Sequence, residues 1–394
     1  MLTQDREKAV IELCQKLIQQ KSYSGEEGKV ADELREFFTA NGFDEITVDG
    51  YGNIVGKIKG KRPGKTLLFD GHMDTVPVTD PAAWTYNPFA AEIHDGKIYG
   101  RGTSDMKGSL AAMAVAAANF AKDNGKDFAG EVCVAGVVHE ECFEGIGARK
   151  ISASVKPDYV IIGEASQLNV KIGQRGRAEI VVEVFGKAAH SANPEKGINA
   201  VYKMSEIIKA IQGLVPTSHP VLGKGILELT DIKSFPYPGA SVVPEYCRAT
   251  YDRRLLVGET MESVLEPINA LLAQLMAQDK ELNAKASYAV GTETCYTGET
   301  ITGERFFPGW LYSKEESFVQ DTVKALNAAG FNPEITQYNF CTNGSHYAGE
   351  AKIATMGIGP SMESLAHTLN EYIEIEQLTK VTEEYYTVMA ALLK

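Results

Sequence analysis

The sequence predicts a two-domain α/β protein: a mostly parallel sheet with helices on both faces, and an inserted ferredoxin-like α+β domain. Three observations lead there. Strand-like runs at residues 53–58, 66–69, 132–138 and 159–162 alternate with helical stretches, among them an alanine-rich one at 109–122, the pattern of strands joined by crossover helices. From about residue 176 the order becomes strand, helix, strand, strand, helix, strand. Beyond residue 291 helices and strands alternate again, so the first domain is expected to be discontinuous, 1–175 and 292–394, around an insert at 176–291.

The elements follow from periodicity. Ile11, Leu13, Leu17 and Ile18 form one helical face over residues 5–20. Ser24 and Glu27 have the spacing of a capping box that opens a second helix carrying Val30, Leu34, Phe37 and Phe38 and ending near Gly42. Residues 109–122 read as an alanine-rich helix. In the insert, Ile180, Val182 and Val184 alternate along 178–185, and strands near 226–232, 246–255 and 286–290 surround helices at 198–214 and 259–277. The closing segment predicts a helix near 315–329 ended by Gly330, strands near 334–338 and 353–357, and a last helix from Ile375.

Composition narrows the function. The chain has 394 residues, 44% hydrophobic and 23% charged, which suits a globular protein with an ample core. No apolar run approaches the ~20 residues of a membrane span. The N-terminal "MLTQDREKAVIEL" is charged and amphipathic and lacks the apolar centre of a signal peptide, so a cytoplasmic location is expected. A net charge of −13 and a pI near 5.2 argue against nucleic acid and anionic membranes, which attract basic faces. The six cysteines form no CxxC pair and read as reduced, packed thiols, Cys142 beside the glutamates included.

The chemistry gathers at strand ends, where open α/β sheets form their sites. Residues 66–69 run into "GHMD", with His72 and Asp74; residues 132–138 run into His139, Glu140 and Glu141; residues 159–162 run into Glu164. "YGRGTSDMKG" delivers Asp105 just before the alanine-rich helix, and "MESLAHTLNE" offers His367. One such carboxylate is usually a cap or a solvated turn residue. Together the set of imidazoles and carboxylates suits zinc or a related divalent ion. Of the two adjacent glutamates, one can face a metal and the other a substrate, as the base a metal site needs. Asp74, two residues from His72, can accept the ring N–H that faces away from the metal.

The pieces "GHMDTVP", "WTYNPF", "DGKIYGRGTSDMKG", "HEECFEGIGA", "IIGE", "VFGKAAHSANPEKGINA", "VVPEYCRATYDRR" and "AHTLNEYI" span about residues 70–372. In this order they resemble the acetylornithine deacetylase / succinyl-diaminopimelate desuccinylase family of dinuclear zinc hydrolases. The resemblance implies a zinc-peptidase-like first domain and an insert that serves as lid and dimerisation domain. It implies two zinc ions, for which cobalt or manganese can substitute. His72, Asp105 and Glu164 would hold one; Asp105, Glu141 and His367 would hold the other, with Asp105 shared. Glu140 would be the general base and Asp74 the partner of His72. His190, in "KAAHS", would reach a neighbouring subunit's site and polarise the scissile carbonyl. The Asp105–Met106 peptide is expected to be cis.

The resemblance also implies substrate contacts, from Arg254, whose guanidinium suits a carboxylate, and from Asn343. Two departures from the family pattern bear on this. "GASVVPEY" has Ser241 and Val242 where many relatives carry an asparagine before Ile-Pro. "CTNGSHY" has Asn343 for an aspartate and Ser345 for an arginine, so a substrate carboxylate is expected to be held differently. His94 and His219 read as turn residues, and His139 stands where relatives have an acid. The expected activity is hydrolysis of an amide in a small N-acyl amino acid or dipeptide-like compound. A ureido hydrolase is the alternative, which Val76-Pro77 disfavours. A metal-binding scaffold without turnover is the contrasting class, against which Glu140 and His190 speak.

Overall fold

The computed structural model describes residues 3–394; Met1 and Leu2 of the N-terminal segment lie outside them. The chain divides into two compact units. One holds the chain up to Gln174, Thr292–Gly303 and Leu311–Lys394; the other holds Arg175–Gly291 and Glu304–Trp310. The sequence reading ends the insert at 291, whereas Glu304–Trp310 returns to the second unit because Phe306–Phe307 pairs with the strand Gly176–Phe185.

The first unit is built on a mixed sheet. Its order runs Glu45–Val48, Ile54–Lys59, Ala129–Val137, Arg62–His72, Tyr159–Ile162, Ala354–Gly357, Val170–Gln174, and Ile335–Tyr338 also pairs with Val170–Gln174. The four strands from Ala129–Val137 to Ala354–Gly357 are parallel. Ile54–Lys59 joins antiparallel on one side, and Val170–Gln174 on the other.

Burial on both faces explains the unbroken apolar runs. Successive side chains point to opposite faces. Leu67, Phe69, Val132, Val134 and Ile161 accordingly enter one core, and Leu68, Cys133, Ala135, Val160 and Ile162 the other. The first core is covered by the helices Gln4–Gln19, Gly108–Asp123 and Ile375–Leu392. Gly108–Asp123 lies between the other two and is buried nearly all round, so its run of alanines allows close approach. Ile146–Val155 covers the second core with Ala148 and Ile151.

The helix Gly28–Ala40 begins without the expected capping box. Ser24 and Glu27 have its spacing, but each side chain is engaged elsewhere. Ser24 donates its hydroxyl to Asp74 at 2.7 Å, and Glu27 Oε1 accepts the N–H groups of Gly25 and His139.

The second unit is ferredoxin-like. Its sheet order is Ile226–Phe235, Tyr246–Leu255, Gly176–Phe185, Ala284–Tyr288, with each pair antiparallel. The helices Ala200–Ile211 and Met261–Gln278 pack on the face presenting Ile180, Val182, Val184, Ala249 and Tyr251. Asn199 caps the first helix, and Thr260 with Ser263 forms a capping box on the second. The opposite face carries a charged network: Arg177 and Arg254 both pair with Asp252, and Arg305 pairs with Glu179. Among the described residues no helix is long and apolar enough to cross a membrane.

Candidate metal centre

Parallel pairing brings three strand ends level. His72 closes its strand opposite Val137, and Asp70 stands opposite Ile162, so Glu140 and Glu164 follow their strands at the same edge. Asp105 arrives on the turn Thr103–Lys107, whose Asp105–Met106 peptide is cis. His367 comes from the late segment after the short helix Glu363–Leu365 and has a φ of +61°.

Six side chains meet there. His72 Nε2 lies 3.0 Å from Asp105 Oδ1 and 3.5 Å from Glu164 Oε1. His367 Nε2 lies 3.1 Å from Asp105 Oδ2 and 3.0 Å from Glu141 Oε2. Each oxygen of Asp105 thus faces a different imidazole, and each imidazole also lies beside a glutamate, His72 beside Glu164 and His367 beside Glu141. Ligand atoms of His72, Glu140 and Glu164, and of His72, Asp105 and Glu141, fall within 4.8 Å of one another. Glu140 is buried, and its Oε1 has no hydrogen-bond partner.

The electrostatics are those of a site built for cations. Burial pushes Glu140 and Glu164 well above the usual carboxylate range, and the neighbouring acids add to this. Burial beside Asp105 raises Glu141 to about 7. Burial opposes the charged form of Asp105 too, but its bonds to His367 and His72 hold it low. Its bond to Asp105, with that to Glu141, raises His367 to about 10. Four crowded carboxylates are costly to desolvate without positive charge. Two dications would balance them, and an all-imidazole and carboxylate donor set suits zinc. The residues present therefore fit a two-metal group.

The support around the ligands departs from expectation at Asp74. The ring nitrogen of His72 that faces away from the carboxylates, Nδ1, is 2.8 Å from the Asp74 main-chain carbonyl, and 3.6 Å from its carboxylate. The carbonyl, not the side chain, orients this imidazole. The carboxylate accepts the Glu140 N–H at 3.0 Å, the Glu141 N–H at 3.2 Å and the Ser24 hydroxyl. It anchors the turn that carries both glutamates. Only the order of His72 and Asp74 is legible in sequence; which atom of Asp74 reaches the ring depends on the path of the backbone after the strand. His139 is buried with a φ of +55°, its N–H donated to Glu27 and its ring edge-on to Phe143.

The remaining candidates stand as follows. Asn343 is buried; its amide donates to Asp70 Oδ1 at 2.9 Å, and its Oδ1 has no partner. Asp70 also accepts the Tyr347 hydroxyl, while burial lifts it to about 6. Ser345 bonds Gln174 and Cys341. In the second unit, Arg254 Nε pairs with Asp252 at 2.8 Å. His190 is exposed, and its Nδ1 accepts the Ala192 N–H at 3.0 Å. That bond sets the tautomer and leaves Nε2–H as a free donor. His94 pairs with Glu92 and stacks on Tyr86, and His219 closes a turn by accepting the Val221 N–H. Sequence reasoning missed Ser24, Glu27, Asp70 and Glu371 as supports of the centre. For Glu371 the signal was present, an acid four residues after His367.

Fold and site together define a metal-dependent hydrolase. Residues 68–391 match the model of peptidase family M20/M25/M40, and the chain belongs to that family. Its hydrolases act on peptides and acylated amino acids, and this chain is a metal-dependent amidohydrolase of the same kind. The uncharacterized protein YgeY of Escherichia coli is 34% identical over 355 residues, covering 89% of this chain and 86% of that protein. Succinyl-diaminopimelate desuccinylase 2 of a Ruegeria species is 28% identical, covering 96% of this chain and 94% of the enzyme. The crystal structure of a Bacillus subtilis protein described as a dinuclear metal binding peptidase of family M20 superposes with a TM-score of 0.72 at 14% identity, over 100% of both chains.

Proposed function

We propose that this protein is a cytoplasmic, homodimeric dizinc amidohydrolase that releases an amine from a small N-acyl amino acid or dipeptide-like substrate. The observation that carries the reading is the division of the Asp105 carboxylate. One oxygen faces His72, which also lies beside Glu164; the other faces His367, which also lies beside Glu141. His72, Asp105 and Glu164 would hold one zinc, and Asp105, Glu141 and His367 the other. When bound, the metals supply positive charge that polarises the scissile carbonyl and makes water more acidic near neutral pH.

The chain's own groups do the rest. Glu140 is the proton carrier: it takes a proton from the attacking water and returns it to the departing nitrogen. Its buried, unpartnered Oε1 supports that role. Asp74 holds the backbone of Glu140 and Glu141 in place. His190 donates from Nε2 to the developing oxyanion in the partner subunit. Arg254 keeps guanidinium donors beyond the Nε used by Asp252, enough to bind a substrate carboxylate. Asn343 spends its amide on Asp70, so it offers a substrate an acceptor, Oδ1.

The dimer is supported by the long edge strand Ile226–Phe235, with Ile232 48% and Phe235 41% exposed. Unpaired strand edges are templates for pairing. Sedimentation equilibrium should give a dimer; a monomer at micromolar concentration refutes this part. Among the described residues none of the six cysteines forms a disulfide, which supports a reducing compartment, and recovery of the protein outside the cytosol would count against it. The reaction is tested by a mass-spectrometric screen of N-acyl amino acids, dipeptides and ureido acids with zinc supplied. Amide cleavage is expected; turnover confined to ureido acids overturns the substrate class.

A further inference from the structure

Glu371 is wholly buried four residues after His367. Its Oε1 accepts the backbone N–H groups of Gly102, Ser104 and Asp105 at 3.0, 2.8 and 3.2 Å. Its Oε2 accepts Arg101 Nη1 at 2.6 Å. One carboxylate thus gathers four donors from the turn that presents Asp105. The main chain reinforces this. Gly100 N–H donates to the Glu371 carbonyl at 2.9 Å, and the strand Tyr372–Glu374 pairs with Lys97–Tyr99. The turn can aim its N–H groups inward because Gly102 has a φ of +89°, where a Cβ would stand 2.6 Å from Lys107 Cε.

We infer that Glu371 is a positioning residue of the metal centre: it fixes the turn bearing Asp105 to the segment bearing His367. The inference rests on reading Asp105 and His367 as ligands. Asp105 Oδ2 and His367 Nε2 are 3.1 Å apart although they come from opposite ends of the unit's sequence, and Glu371 binds one while belonging to the chain of the other. Only a carboxylate serves here. Glutamine has the same shape but replaces one acceptor oxygen by a donor, which would face either Arg101 or the three N–H groups.

The test is cobalt binding by wild-type protein, Glu371→Gln and Glu371→Asp, followed by equilibrium dialysis and by the visible absorption of bound Co2+. Wild type is expected to bind two ions per chain. Glu371→Gln is expected to weaken the second ion about 10–100-fold, the scale of losing a residue that orients a ligand, and to alter the absorption bands. Glu371→Asp, which retains the charge, is expected to recover part of the affinity. Glu350→Gln, which breaks the Glu350 pairs with Arg149 and His346 and touches none of the proposed ligands, controls for lost stability and should bind cobalt as wild type does. Wild-type affinity and spectrum in Glu371→Gln, however unstable that variant is, overturn the inference. If Glu371→Gln does not fold, wild-type behaviour of Glu371→Asp overturns it equally. Fewer than two ions in the wild type overturn the ligand assignment instead.

Discussion

Replacing Asp74 by asparagine separates two ways in which this residue can serve the centre. If its carboxylate oriented His72, Asp74→Asn would weaken a metal ligand. Here the main-chain carbonyl holds His72 Nδ1, and the substitution leaves that bond intact. What it disturbs is the carboxylate's grip on the Glu140 N–H, the Glu141 N–H and the Ser24 hydroxyl. Asparagine keeps one acceptor oxygen, so at least one of these bonds is lost. A hydrogen bond to a charged acceptor contributes about 1.5–3 kcal/mol. Each ~1.4 kcal/mol of transition-state stabilisation is a factor of ten in rate. If the loss falls on the placement of Glu140, kcat should drop about 10- to 150-fold. Metal content, measured by inductively coupled plasma mass spectrometry after dialysis, should stay near the wild-type value. Depletion of metal with an undiminished kcat in metal-saturated protein would refute the reasoning.

Other outcomes follow from the same geometry. Glu140→Gln should retain its metals and lose about two to four decades of kcat, the usual scale for a general base; near-normal turnover would remove Glu140 from that role. Glu350 should confer acid-sensitive stability. Burial opposes its ionisation, but His346 and Arg149 outweigh this and hold it at about 2. A carboxylate held low stabilises the fold above its ordinary value near 4.5 and loses that contribution as the pH falls towards 2. Glu350 and Arg149 are partly exposed and so partly screened by solvent, and Glu350→Gln should cost about 1 kcal/mol at pH 7 and progressively less below pH 4.5, read by urea denaturation. A pH-independent cost would contradict the assignment.

The elements that could be read in sequence are those whose periodicity matches their burial. Residues 66–69, 132–138 and 159–162 are apolar throughout because both faces of the central strands are covered. The candidate side chains at their ends follow from that placement, and so His72, Glu140, Glu141 and Glu164 were legible together. Asp105 and His367 lie on irregular segments, and the sets they join come from the resemblance alone. The flanking strand Ile54–Lys59 reads as a strand like its neighbours but runs antiparallel, a difference that its sequence pattern does not encode. Ser24 and Glu27 satisfy the local rule for a capping box, yet partners distant in sequence, Asp74 and His139, take both side chains. Asn343 reads as a substrate contact in sequence; its bond to Asp70, which leaves Oδ1 as the group it can offer, arises only when the two are brought together in the fold.

The central claim is that Asp105 is shared between two metal ions. Diffraction from zinc-loaded crystals, recorded on either side of the zinc absorption edge, tests it most directly. The account predicts two anomalous peaks per chain, one beside His72 and Glu164, one beside Glu141 and His367, with an oxygen of Asp105 coordinating each. A single peak, or two peaks of which Asp105 binds only one, would contradict it.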